Sequence, residues 1–238
     1  MQGTLLGTLF YGFRGGHVDF LAVLTQIIAS LVIILLIMPF HEWAHAFVAY
    51  HLGDRDVKKR GRLSLNPLSH VDPIGALLII FIGFGWAKPV PINDRNFKNP
   101  KVGMGISALA GPVANLLAAF VGCVVFFSIA KFAPEFYFKS LYGFNTFGKY
   151  LLQFLVYYVM VNVALAVFNL LPIPPLDGSK ILFMFLPDKI VYTIYKYEQY
   201  FFLIIIMLVW FDLLPIGQIS SAVCNGLFDF TGMLFGVK

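Results

Sequence analysis

Charge is scarce in this chain. Asp, Glu, Lys and Arg make up 12% of 238 residues, about half of the roughly 25% found in soluble domains. Together with 59% hydrophobic residues and a mean hydropathy of +0.82, that shortage excludes a disordered chain and an ordinary soluble globule. Cysteine is nearly absent: Cys123 and Cys224 form neither a disulfide framework nor a CxxC metal pair. No basic run is interleaved with aromatics, so a single-strand nucleic-acid groove is not expected. The net charge of +5 sits in loops flanking apolar runs, where anionic headgroups attract it. The implied partner is the lipid bilayer and not nucleic acid. Met1–Arg14 has no basic region ahead of its apolar stretch and no cleavage-site pattern, so it does not read as a signal peptide.

What is present is long apolar runs. Phe20–Phe40 is interrupted only by Thr25, Gln26, Ser30 and Pro39, and helix-compatible residues continue to about Leu52, before Gly53-Asp54. Residues 102–130 and 150–171 are two further full spans, 200–214 and 216–237 are candidates for two more, and residues 1–13 for a short extra segment. Residues 73–85 are apolar but too few to cross, which suits a re-entrant piece. The expected fold is an all-α polytopic membrane protein with about five to six transmembrane helices, a short re-entrant segment and an extended ribbon at Trp86–Asn93, where Pro89 and Pro91 forbid a helix interior. A single domain over 1–238 is expected, with its core at 19–186 and peripheral C-terminal helices at 200–237. An edge of the ribbon could pair with a locally unfolded substrate; an ordinary loop is the alternative.

Lys and Arg orient the spans. Loops 53–72, 86–101 and 180–199 hold twelve of the seventeen, against Arg14, Lys131, Lys139 and Lys149 on the opposite side, with Lys238 unassigned. That bias puts the 53–72 loop in the cytoplasm.

At the inner end of the first span stands His41-Glu42-Trp43-Ala44-His45. Positions i and i+4 share a helix face, so both imidazoles reach one ion while the intervening carboxylate can take a proton from water beside it. Zinc is the favoured metal. Three ionisable groups directly after an apolar span are costly unless they work, although two interfacial histidines snorkelling with a glutamate are the bland alternative. A catalytic zinc needs one more protein ligand. His17 lies on the wrong side and His51 off the face of His45, while His70 is not excluded by spacing. Glu135 is assigned to the outer side and Glu198 to a charged loop; Asp212 and Asp229 have nothing near them to fix a geometry. Asp177 remains, in a break made by Pro172, Pro174 and Pro175 just beyond the inner end of the third span; a helix N-cap is its structural alternative. Gly103, Ser107, Gly111 and Asn115 form a small-residue stripe that lets another helix approach closely.

HEWAH, Ala-Gly-Pro-Val-Ala-Asn at 110–115 and Phe-Asn-Leu-Leu-Pro-Ile-Pro-Pro-Leu-Asp-Gly at 168–178, in this order, resemble the site-2 protease family of intramembrane zinc metalloproteases. The similarity runs from about residue 30 to 186 and takes in Gly61–Pro67 and Trp86–Pro91, which resemble loops of compact prokaryotic members. No segment resembles the PDZ or CBS domains of some relatives, so regulation through such a domain is not expected. The resemblance implies one zinc ion per chain held by His41, His45 and Asp177, with Glu42 as general base, the assignment that spacing and elimination also reach. It makes Asn115 and Asn169 candidates for positioning substrate or stabilising an oxyanion; helix packing is the other role for Asn115. The implied function is hydrolysis of peptide bonds in or near transmembrane segments of membrane protein substrates, in a prokaryotic cell membrane, with the site near the cytoplasmic face. A membrane zinc transporter or metal-sensing protein using the same ligands is the alternative, and it has no need of Glu42 as a base. A histidine-box di-iron enzyme needs more histidines than the five present.

Overall fold

The computed structural model describes residues 20–82, 85–211 and 213–237. The N-terminal segment 1–17 with His17, and also Asp212 and Lys238, lie outside the described residues. Every regular element among those described is helical: α1 (Phe20–Val32), a π-helical stretch (Ile33–Ile37), α2 (Met38–Leu52), α3 (Asp56–Lys59), α4 (Pro73–Ile82), α5 (Pro100–Phe132), α6 (Pro134–Leu141), α7 (Thr146–Asn169), α8 (Asp177–Phe183), α9 (Asp188–Lys196), α10 (Glu198–Trp210) and α11 (Ile216–Phe235), with short 3-10 turns at Pro67–Ser69 and Asp94–Asn96.

Among the described residues, three helices are long and apolar enough to cross a membrane: Ile27–Leu52, Pro100–Phe132 and Thr146–Asn169. The shortest, at 24 residues, reaches about 36 Å at ~1.5 Å per residue, beyond the ~30 Å hydrocarbon core. By contrast α10 has 13 residues, and α11 carries Gln218, Ser220, Asn225, Asp229 and Thr231.

The chain divides into two compact units, residues 1–111 and 112–238. In the first, the π-helical stretch has a local cause. Pro39 has no N–H and its ring crowds the preceding turn; the helix answers by widening, so that the Met38 N–H donates to the Ile33 carbonyl five residues back. The widened turn delivers α2, which carries His41–His45. α2 ends at Gly53, whose φ of +125° favours glycine and where a Cβ would stand 2.7 Å from the Asn96 carbonyl oxygen.

Beneath that end lies a small core of Ala46, Ala49, Val57 and Phe97, with Tyr50, Leu63, Val90 and Ile92 against it. Asp54 is fully buried beside it. Its carboxylate accepts from the Asn93 N–H (2.7 Å), the Asn96 amide (2.7 Å) and the Asp56 N–H (3.2 Å), the satisfaction a buried carboxylate requires. Segment 86–97 is thereby fastened to the helix of the HEWAH motif.

That segment departs from the expected ribbon. No strand forms among the described residues, and the free edge is partly consumed. The Lys88 N–H donates to the His70 carbonyl (2.8 Å), the Val90 N–H to Glu42 (3.1 Å) and the Asn93 N–H to Asp54. Arg62 and Arg60 donate to the carbonyls of Lys88 and Pro91. Pro89 and Pro91 supply no donors, so the row of N–H groups that a ladder needs is interrupted.

In the second unit, α5, α7 and α11 pack around Ala119, Cys123, Val159, Val163 and Cys224. Gly122 lets α5 and α7 approach: a Cβ there would meet Val159 Cγ2 at 2.9 Å. α6 and α7 form a hairpin whose second helix is capped by the Asn145 side chain, accepting from the Gly148 N–H at 3.0 Å.

Candidate metal centre

His41, Glu42 and His45 each present a ligand atom within 4.8 Å of the other two. They come from one helix, as the i, i+4 spacing dictates. Both histidines are buried and Glu42 is half-buried. The imidazoles meet edge to face with centroids 4.6 Å apart, and their Nε2 atoms converge to 3.0 Å, so one ion can be reached by both.

His45 is fixed from behind. Its Nδ1 lies 2.7 Å from the backbone carbonyl oxygen of Ser107. A carbonyl only accepts, so Nδ1 carries the proton and Nε2 keeps its lone pair, the tautomer a metal needs. The small-residue stripe makes this approach possible. A Cβ on Gly111 would meet His45 Nε2 and would stand 2.5 Å from His41 Cε1, and one on Gly103 would collide with the Phe97 ring. Gly111 and Ser107 thus form the wall against which both imidazoles lie. Glu42 Oε2 accepts the Val90 N–H at 3.1 Å. Two imidazoles with a carboxylate between them, cradled by a glycine and with one ring oriented by a carbonyl, are a donor set that fits zinc.

His70, which spacing leaves open, is not in this group. It is fully buried and its Nε2–H donates to the Ser64 carbonyl at 2.8 Å, closing the loop over residues 64–70. His51 bonds back to the Phe47 carbonyl of its own helix.

The other expected site residues belong to the second unit. Asp177 is buried, with Oδ1 3.2 Å from Lys180 Nζ. It does not take the N-cap role: Leu176 holds the cap position and Asp177 is the first residue of α8. The Asp-Gly pair has a steric reason, because a Cβ on Gly178 would stand 2.5 Å from the Leu171 carbonyl oxygen, so the start of α8 rests on the backbone at the end of α7. Asn115 is fully buried and neither of its amide atoms has a hydrogen-bond partner. Asn169 instead donates its amide to the Leu165 carbonyl of its own helix at 3.0 Å. Asp229 is exposed on α11.

Residues 29–211 match the family model of peptidase family M50. The chain belongs to peptidase family M50. Among its relatives, YwhC of Bacillus subtilis is 42% identical over 178 residues, covering 74% of this chain and 78% of YwhC. Rip2 of Mycolicibacterium smegmatis is 30% identical over 179 residues, 73% of this chain and 63% of Rip2. Rip2 of Mycobacterium tuberculosis H37Rv is 28% identical over 197 residues, 81% and 70%. All three bear provisional names as zinc metalloproteases. No solved structure matches the chain.

Two contributions to this candidate site escape the motifs. The Ser107 carbonyl and the Val90 N–H are backbone groups, invisible to a search by residue type. The stripe signalled a close approach at Ser107 and Gly111 without naming the imidazoles as what approaches.

Proposed function

We propose that this M50 chain is an intramembrane zinc metalloendopeptidase that hydrolyses peptide bonds within or near transmembrane segments of membrane protein substrates. The observation that carries the reading is the buried His41–Glu42–His45 group with the His45 tautomer set by Ser107, in a chain of a peptidase family. His41 and His45 would hold one zinc ion, and Asp177, buried at the start of α8, would be the third protein ligand on the order of the motifs. Zinc, when bound, supplies a Lewis acid that polarises the scissile carbonyl and acidifies water. Glu42 takes the proton of the attacking water and returns it to the leaving amine. Asn115, whose buried amide is unpaired, donates to the substrate oxygen as negative charge develops. Asn169, which keeps its Oδ1 for other contacts, helps to position the substrate.

The same reading takes the chain as one domain, core 19–186 with peripheral helices at 200–237, crossing a prokaryotic cell membrane about five to six times. Residues 73–85 dip in without crossing, and the site lies near the cytoplasmic face where the basic loops gather. No observation favours a zinc transporter.

The test measures zinc content and cleavage of membrane-spanning peptides by purified protein. Glu42→Gln should keep zinc and lose cleavage, and Asp177→Asn should lose or weaken zinc. Wild-type protein that holds zinc and cuts nothing, while proteoliposomes move zinc equally well with either residue at position 42, would overturn the proposal.

A further inference from the structure

In the tripeptide Pro89-Val90-Pro91 only Val90 has a backbone N–H to give, because proline has none. That single donor lies 3.1 Å from Glu42 Oε2, 48 residues earlier in the chain. Everything around the contact holds it in place. The Val90 side chain packs on the core under α2, beside Ile92. On one side the Lys88 N–H donates to the His70 carbonyl, and Arg62 donates to the carbonyls of Ser69 (2.5 Å) and Lys88 (3.4 Å). On the other side the Asn93 N–H is held by the buried Asp54, and Arg60 donates to the Pro91 carbonyl. The loop is tied at both ends, and of the two amides between the ties the one at Val90 meets Glu42.

We propose that the Val90 backbone amide is a positioning group for the general base: it fixes Glu42 by Oε2 so that Oε1 alone serves proton transfer. This rests on the hydrolytic reading above. A hydrogen bond to an ionised carboxylate is among the stronger neutral-donor contacts. A carboxylate with one oxygen pinned loses most of its freedom about the terminal side-chain bond, which is otherwise a broad torsion. Side chains that do chemistry work best when their supports lock them. Pro89 and Pro91 fit the role, since they stiffen the loop and withhold any competing donor from the carboxylate.

Replacing Val90 by its α-hydroxy acid, through stop-codon suppression in the full chain, changes N–H to O and keeps the side chain. The matched control is the same exchange at Ile92, whose N–H has no partner among the described residues. With a lysine-flanked leucine–alanine transmembrane peptide as probe, the ester at 90 should lower kcat by about 10²-fold, the scale of a misplaced catalytic group. KM and zinc content should hold, and the ester at 92 should leave kcat nearly unchanged. A readout independent of turnover is hydrogen exchange of the 86–93 segment: the Val90 amide should exchange slowly in wild type and fast in Glu42→Ala. Equal kcat for wild type and the ester at 90, equal losses for both esters, or unchanged exchange in Glu42→Ala each overturns the positioning role while leaving the protease reading intact. If wild type cuts no peptide, the hydrolytic reading falls and takes this role with it, even where the exchange result still marks the Val90–Glu42 bond.

Discussion

The ring of His45 is oriented by a backbone atom 62 residues further on: its Nδ1–H donates to the Ser107 carbonyl at 2.7 Å. A metal-binding imidazole needs its second nitrogen tied down, and a carbonyl does this without a charge of its own. The bond exists because α5 presents small residues there, Gly111 above all.

Gly111→Ala should therefore damage metal binding more than its size suggests. The added methyl meets His45 Nε2 and the Cε1 edge of His41, and the rings have Ser107 behind them. Zinc affinity, read by competition with a chromophoric chelator, should fall about 10–100-fold, the range seen when supports of metal ligands are disturbed. Affinity equal to wild type would mean the rings can move aside, and the cradle would lose its importance.

Asn115 allows a separation of stability from activity. Both of its amide atoms are buried and unpaired, a condition that costs roughly 1–3 kcal/mol. Asn115→Leu should leave melting in detergent unchanged or raise it, while cleavage falls about 10²-fold if the amide donates to a developing oxyanion. If melting falls instead, Asn115 is holding helices together.

Asp54→Ala strips a buried acceptor from the Asn93 N–H, the Asn96 amide and the Asp56 N–H. A loss of about 1–2 kcal/mol is expected, because the stranded Asn93 and Asp56 donors are only half-buried and the exposed Asn96 amide can turn to water. The loosening should be local, so limited proteolysis should cut within residues 86–99 before the helices melt. Unaltered proteolysis would show that the segment is held without Asp54.

Asp56 gives a sign that can be checked against pH. The Lys59 ammonium, 2.9 Å from Oδ1, holds its carboxyl below the ordinary value of 3.8, with the Asn96 amide helping. The folded form is the one with the lower value, so the pair's contribution is present above about pH 3.8 and disappears as pH falls through the folded value. In Lys59→Met the Asp56 carboxyl resonance should titrate at higher pH than in wild type. The melting temperature at neutral pH should barely change, because the pair is exposed.

How much of this was legible beforehand follows from distance along the chain. His41, Glu42 and His45 lie within one helical turn and a half, where spacing alone sets the geometry, and they stand together as that spacing requires. The long helices were legible because apolar runs of spanning length have few alternatives. Asp54 was missed: an aspartate after a glycine looks like a turn residue until Asn93 and Asn96 arrive some 40 residues later. At 86–93 the alternation suggests a strand or ribbon, with an ordinary loop as the alternative, and no strand forms among the described residues: two prolines remove donors, and the carboxylates of Glu42 and Asp54 take two others. For Asp177 the motif was legible but the cap was not, since whether a residue is the cap or the first helical residue depends on backbone angles that no motif encodes.

The 62-residue separation of His45 and Ser107 also imposes an order in time. A ribosome adding roughly 5–20 residues per second completes α2 several seconds before it reaches the carbonyl that selects the tautomer of His45. During that interval the first span is already long enough to enter the bilayer, but the carbonyl that orients the His45 ring is still missing. A nascent chain truncated before residue 107 should therefore bind zinc more weakly than the full chain.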